Sequence, residues 1–289
     1  MTNRFELLRL RLVGEDDIDT ELVQREFPTV LVERALACGP DDIVIDDYAW
    51  RGAFDLRSLD EKIERAAPTL SISVRGYDVT NIACEVVSRY QRFLGRRNHA
   101  SSTPLFDAVL RAHSGLHDVT LPFVKADLDH AVDTWQWLLR LEPEIGVAPQ
   151  LAALFHDIER LNSEPRERIE HRVPDGQSLN DANARRCGER VFSLLTEVGV
   201  GDEDAERARD IVFCPERRAG DPEVLLLDDA DALSFLSLNS STYIDYFGVA
   251  QTRRKVAYTL SRLGPVARAK LDRVRLRPDV ERLLREVAA

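Results

Sequence analysis

No two of the four cysteines, Cys38, Cys84, Cys187 and Cys214, form a CxxC pair. That argues against a zinc ribbon or a thioredoxin-like site, and the four read as reduced thiols of a cytosolic protein. No stretch approaches the about 18 apolar residues of a membrane span. The opening stretch MTNRFELLRLRLVGEDD lacks the uninterrupted apolar region of a signal peptide. There is no GxGxxG and no P-loop, so no glycine-rich turn announces a nucleotide site. Internal repeats and low-complexity tails are missing as well. Basic charge is in deficit: 50 acidic against 39 basic residues give a net charge of −11. Such a chain repels a polyphosphate backbone, and nucleic acid is not expected as its partner. The absences leave a cytoplasmic protein that neither enters a membrane nor binds nucleic acid.

What is present is a normal globular composition, 44% hydrophobic over 289 residues, enough for one large domain or two ordinary ones. The first hundred residues mix two periods. LLRLRLV (7–13), DIVIDDY (42–48) and TLSISVRG (69–76) read as strands, whereas 20–39, 58–67 and 79–95 have helical spacing, with Gly39 and Gly95 placed as C-caps. Residues 1–100 therefore form a small α/β unit, read as a structural or oligomerising subdomain that makes the chain a homo-oligomer candidate. The polar stretch GRRNHASSTP (95–104) marks a boundary. Beyond it, 104–289 reads as an all-α bundle, with helices over 104–113, 127–141, 148–161, 179–198, 202–214, 222–238, 242–263 and 265–288. One long polar connection, 162–178, interrupts it. A connection of that length in a compact domain is functional or disordered.

Three of these helices carry metal-competent side chains at positions where apolar ones belong. In DLDHAVDTWQWLLRL (127–141), His130 aligns with Thr134, Trp137, Leu138 and Leu141, and Asp129, Asp133, Gln136 and Arg140 make the wet face. In APQLAALFHDIERL (148–161), His156 and Asp157 interrupt an apolar run. Adjacent helical residues diverge by about 100°, so the pair serves one ion only if the ion lies in the wedge between them. Ala152 and Ala153 leave room beside it. EVLLLDDADALSFLSL (223–238) is apolar almost all round, yet holds Asp228, Asp229 and Asp231. Buried carboxylates need a cation or strong donors. Two imidazoles with two carboxylates suit one divalent transition metal: Mn, Fe, Co, Ni or Zn. Periodicity does not choose among the three aspartates.

His130, the contiguous pair His156-Asp157 and Asp231 within Ala-Asp-Ala-Leu resemble the H...HD...D signature of the HD-domain superfamily of metal-dependent phosphohydrolases. The resemblance covers roughly residues 104–263. It implies an all-α fold, His130, His156, Asp157 and Asp231 as ligands of one metal, and hydrolysis of a small phosphate ester such as a nucleotide. The metal would polarise a phosphate oxygen and acidify a water.

Phosphoryl transfer requires basic side chains near the metal. Arg160 follows the HD pair, and QTRRKVAYTL (251–260) supplies Arg254 and Lys255; these three are the expected phosphate contacts. Nucleotidase members of the family have a Glu three residues after the Asp of HD, and here Arg160 stands there. Glu159 is one position earlier and points elsewhere on a helix. Asp127, one turn before His130, reads as a helix N-cap in preference to a carboxylate behind the metal ligands. Two-metal members carry two further histidines before the final Asp, and only His171 lies in that interval. Where a second would fall, the sequence offers Cys214 and Glu216. His171 sits in the long polar loop among Arg166, Arg168 and Arg172, read as a segment facing substrate. His99, His113 and His117 receive no role. The alternatives are an HD-type iron oxygenase and a catalytically silent HD-fold binding protein with a structural metal.

Overall fold

The computed structural model describes residues 8–14, 18–27, 30–46, 60–61, 71–76, 79–97, 103–142, 145–162, 177–213, 220–271, 274 and 276–288. The chain is mainly α with a small N-terminal α/β unit, and it divides into residues 1–107 and 108–289.

In the first unit, strands β1 (Leu8–Val13), β2 (Val30–Ala35), β3 (Ile43–Asp46) and β4 (Ser71–Arg75) form a parallel sheet in the order β2-β1-β4-β3. Strand β1 alternates as a half-buried strand should: Leu8, Leu10 and Leu12 enter the core, and Arg9 and Arg11 stay partly exposed. Helix α1 (Thr20–Glu26) is capped by Asp19, whose carboxylate accepts the Leu22 N–H at 2.9 Å. Helix α2 (Val79–Arg97) presents Val79, Ala83, Val86, Val87 and Tyr90 at helical spacing to the same core as Leu10, Leu12, Ile72 and Val74.

The single helix expected over 20–39 is not formed. It ends at Glu26, and Val30–Ala35 pairs residue by residue with β1. Pro28 separates the two runs and lacks the N–H a helix needs, and the β-branched Val30 and Val32 favour the extended chain. Of the helix expected over 58–67, residues 62–67 lie outside the described residues, as do 58–59, most of the long loop and its His171.

The second unit runs through α3 (Thr103–Ser114), α4 (Pro122–Leu141), α5 (Val147–Phe155), a 3₁₀ turn (Ile158–Asn162), α6 (Gln177–Glu197), α7 (Asp202–Phe213), α8 (Pro222–Ser234), a π turn (Phe235–Asn239), α9 (Ser240–Arg262), α10 (Pro265–Arg268) and α11 (Pro278–Ala288). Helix α5 is the axis of this unit. Every residue from Val147 to Phe155 is buried, and α4, α7 and α8 pack around it. Its one long polar side chain is satisfied: Gln150 Oε1 accepts the Trp135 indole N–H at 3.1 Å, and Gln150 Nε2 donates to the Ile145 carbonyl at 3.2 Å. Helices α4 and α8 run parallel, because the side-chain pairs His130–Ser234 and Asp133–Ser237 are each 104 residues apart.

Four helix limits depart from the periodicity. Helix α4 starts at Pro122, a good first helical residue, so Asp127 lies inside the helix and is not its N-cap. The helix expected over 148–161 stops at Phe155. The one expected over 242–263 breaks at Gly248, whose φ of 75° and ψ of 170° suit glycine alone. The segment 265–288 holds two helices rather than one. No described helix is long and apolar enough to cross a membrane.

Candidate metal centre

Three neighbouring elements deliver four side chains to one point. Helix α4 brings His130, the end of α5 brings His156 and Asp157, and α8 brings Asp231. One ligand atom from each lies within 4.8 Å of all the others. His130 Nε2 is 3.1 Å from Asp231 Oδ1 and 3.7 Å from Asp157 Oδ2. His156 Nε2 is 3.4 Å from Asp157 Oδ2 and 3.6 Å from Asp231 Oδ1. The side chains of His130 and His156 are 3% and 9% exposed, those of Asp157 and Asp231 13% and 24%, so the cluster opens on the Asp231 side.

The helix break explains how adjacent residues share one site. Helix α5 ends with its last carbonyls held by imidazoles: His156 Nδ1 donates to the Ala153 carbonyl at 2.9 Å, and His113 hydrogen-bonds the Leu154 backbone. The chain then tightens, with Arg160 N–H donating to the Asp157 carbonyl at 2.9 Å. In a 3₁₀ turn residues i and i+3 eclipse, so Arg160 stands over Asp157. Its Nη1 is 2.7 Å from Asp157 Oδ2, an ion pair.

Whether a cation fits is decided by what the four atoms lack. His156 uses Nδ1–H on a carbonyl, which only accepts, so its Nε2 is the atom left for the cluster. His130 is held likewise, with Nδ1 2.8 Å from Ser234 Oγ, and that hydroxyl in turn donates to the His130 carbonyl at 3.3 Å. His156 Nε2 and Asp157 Oδ2 are buried and make no hydrogen bond; the Arg160 ion pair lies off hydrogen-bond directions. Two buried polar atoms without a hydrogen-bond partner, beside a second carboxylate and a second imidazole, leave a place for positive charge, from a proton on His156 or from a cation between them. The cluster could hold a metal ion.

The protein's own charges follow the same pattern. Burial alone would neutralise Asp157, but Arg160 and His156 outweigh it and hold the carboxyl below its usual range. Burial likewise opposes ionisation of Asp231, and His130 and His156 hold it well below that range. Burial pulls the His156 imidazole down, yet Asp157 and Asp231 raise it to about 9.

The structure separates the three aspartates that periodicity leaves equivalent. Asp228 pairs with Arg262 at 3.2 Å, Asp229 accepts the Gly264 N–H at 2.7 Å, and Asp231 enters the cluster. Among the three expected phosphate contacts, Arg160 is in the cluster. Arg254 is exposed and donates to Gln251 Oε1 at 2.5 Å, and the Lys255 ammonium sits 4.9 Å over the Phe235 ring. Asp127, expected as a cap, instead adds to the negative charge felt by Arg160. His171, Cys214 and Glu216 lie outside the described residues.

His113, to which the sequence assigns no role, lies against the site. It is 1% exposed, its ring meets Phe155 edge-on at 4.8 Å, and burial, with His117 and His156 nearby, pushes its pKa down to about 3. It is a neutral imidazole beneath the ligand turn.

Residues 106–284 match the family described as a domain of unknown function (DUF4202), a segment that includes all four clustered side chains and Arg160. No curated protein and no solved structure matches the chain.

Proposed function

We propose that this chain, which belongs to the DUF4202 family, is an HD-type metal-dependent phosphohydrolase that acts in the cytoplasm on a small phosphate ester such as a nucleotide. The observation that carries the reading is the buried meeting of His130, His156, Asp157 and Asp231, with two polar atoms among them that lack a hydrogen-bond partner. These four would hold one divalent transition metal. Bound there, such a metal supplies Lewis acidity toward a phosphoryl oxygen and acidifies water.

The remaining work falls to the chain itself. The Ala153 carbonyl and Ser234 grip the two Nδ1 atoms, so both imidazoles keep a fixed orientation. Asp157 and Asp231 contribute two negative charges and Arg160 one positive. With a divalent cation these three and the ion sum to one positive charge, which Asp127 and Glu159 reduce from further out; an open position on the cation then favours an anionic ester over a neutral one. Arg160 is placed beside the cluster to offset charge that develops on the phosphoryl oxygens. The partly exposed side of Asp231 is the side from which substrate enters.

The test is elemental analysis of protein purified without a chelating column, followed by a panel of nitrophenyl phosphate and nucleoside monophosphates with Mn(II), Co(II), Ni(II), Zn(II) or anaerobic Fe(II). About one equivalent of metal, lost in His156→Ala and Asp157→Ala together with phosphate release, supports the reading. Two equivalents of iron with oxygen uptake would replace it by an oxygenase, and a tightly held metal without turnover by a binding protein. No metal under any of these conditions overturns it.

A further inference from the structure

One turn of α8 reaches the cluster twice. Asp231 faces the shared point directly, and Ser234, three residues later on the same helix face, touches His130 from behind. Ser234 is fully buried, and its hydroxyl makes two contacts with a single residue of the neighbouring helix. His130 Nδ1 lies 2.8 Å from Ser234 Oγ, and Ser234 Oγ donates to the His130 backbone carbonyl at 3.3 Å. A hydroxyl has one hydrogen and two lone pairs. With a cation on His130 Nε2 the imidazole proton is on Nδ1, so the hydroxyl accepts it and keeps its own hydrogen for the carbonyl.

We infer that Ser234 is a positioning residue for the metal ligand His130: it fixes the Nδ1–H tautomer and thereby presents the Nε2 lone pair to a cation shared with Asp231. The inference rests on the metal-centre reading above. His156 obtains the same orientation from a backbone carbonyl, which no substitution removes. Ser234 is therefore the side chain by which the presentation of a ligand can be tested without touching the ligands. The same turn supplies one ligand and orients another, so α4 and α8 are clasped in both directions at the site.

A natural control lies three residues further on. Ser237, in the π turn that follows α8, also faces α4, but its partners are the Trp137 indole N–H, which it accepts at 3.1 Å, Asp133 Oδ2, to which it donates at 2.8 Å, and the Ser234 carbonyl at 3.2 Å. It ties the same two helices together but carries no ligand.

The experiment compares the full chain with Ser234→Ala, Ser234→Thr and Ser237→Ala. Co(II) and Zn(II) affinities are measured by competition with a chromophoric chelator, and the His130 Nδ1–H by nitrogen-proton correlation in Zn(II)-loaded protein. Ser234→Ala is expected to weaken metal binding about 10- to 100-fold, the usual effect of removing a partner that orients a ligand. Ser237→Ala is expected to stay within about twofold, and Ser234→Thr to recover most of the loss. In the Zn(II)-loaded parent the His130 Nδ1–H signal should lie downfield and be protected from solvent exchange by the Ser234 hydroxyl, and in Ser234→Ala it should move upfield and exchange faster. Equal metal affinity in the parent and Ser234→Ala would overturn the inference while leaving the metal centre intact. Failure of the parent to bind either metal would sink the metal reading and this inference's link to it, whereas an unchanged Nδ1–H signal in Ser234→Ala would overturn the positioning role by itself.

Discussion

Replacing Arg160 by Gln should weaken the protein yet tighten its hold on metal. Arg160 Nη1 sits 2.7 Å from Asp157 Oδ2, and the two side chains are 30% and 13% exposed. Breaking a buried ion pair by removing one partner costs about 3–5 kcal/mol, whereas an exposed pair is worth about 0.2–1 kcal/mol. A pair of intermediate burial, with a third of the arginine open to water, falls at about 2 kcal/mol. For a unit of this size that lowers Tm by about 4–8 °C in metal-free protein. A bound divalent cation supplies to Asp157 the positive charge that the substitution removed, so the loss should shrink to about 1 kcal/mol or less in metal-loaded protein. The difference, about 1 kcal/mol, must reappear as roughly fivefold tighter metal binding in Arg160→Gln, because linkage between two sites is reciprocal. Phosphate-ester turnover should fall at the same time. Thermal melts with EDTA and with excess Co(II), and a chelator competition, read all of these quantities. An equal Tm drop in both conditions, or weaker metal binding in the variant, would show that Arg160 is not the counter-charge of Asp157.

Two further outcomes separate the parts of the site. His113 binds its proton with a pKa of about 3 in the folded chain against about 6.5 unfolded, so the unfolded state takes up more protons between those values. Stability from this group is complete above about pH 6.5 and is lost as pH falls toward 3, at up to about 1.4 kcal/mol per pH unit. His117 and His156 face it and add to the repulsion. Urea midpoints at pH 7, 6 and 5 should decline more steeply in the parent than in His113→Gln, and parallel lines would refute the assignment. Among the α8 aspartates, Asp231→Asn should abolish stoichiometric metal, and Asp228→Asn should leave it unchanged with a destabilisation below about 1 kcal/mol, as expected for an exposed pair. Metal retained in Asp231→Asn would remove that residue from the ligand set.

The candidate ligands were legible because charge on an apolar helix face is conspicuous. His130 lies in line with Trp137 and Leu138, and His156 and Asp157 interrupt a run that is buried throughout. The choice among Asp228, Asp229 and Asp231 was not legible, since α8 is apolar on nearly every side and no face points the way. Arg262 and Gly264, which claim the other two, belong to segments about 35 residues away in sequence. The 3₁₀ turn was hidden for another reason. Leu161 continues the helical period, so periodicity cannot see that imidazoles have ended the helix at Phe155. His113 gave no signal at all: a single histidine in an amphipathic helix looks the same whether it faces water or caps a distant carbonyl. Strand β2 was lost because Val30, Leu31 and Val32 are all buried, and a run buried on both faces has no period to distinguish strand from helix.

The π turn at Phe235–Asn239 lets one rod serve two neighbours. A π turn inserts an extra residue into a helical rod, an offset of about 100° between its upstream and downstream halves. Upstream, Asp231 and Ser234 address α4; downstream, Ile244 packs with Val280 and Leu283 of α11. The insertion works as a phase shifter: shortening the rod by one residue there would preserve its length to within a single rise while pointing its two ends at the wrong partners.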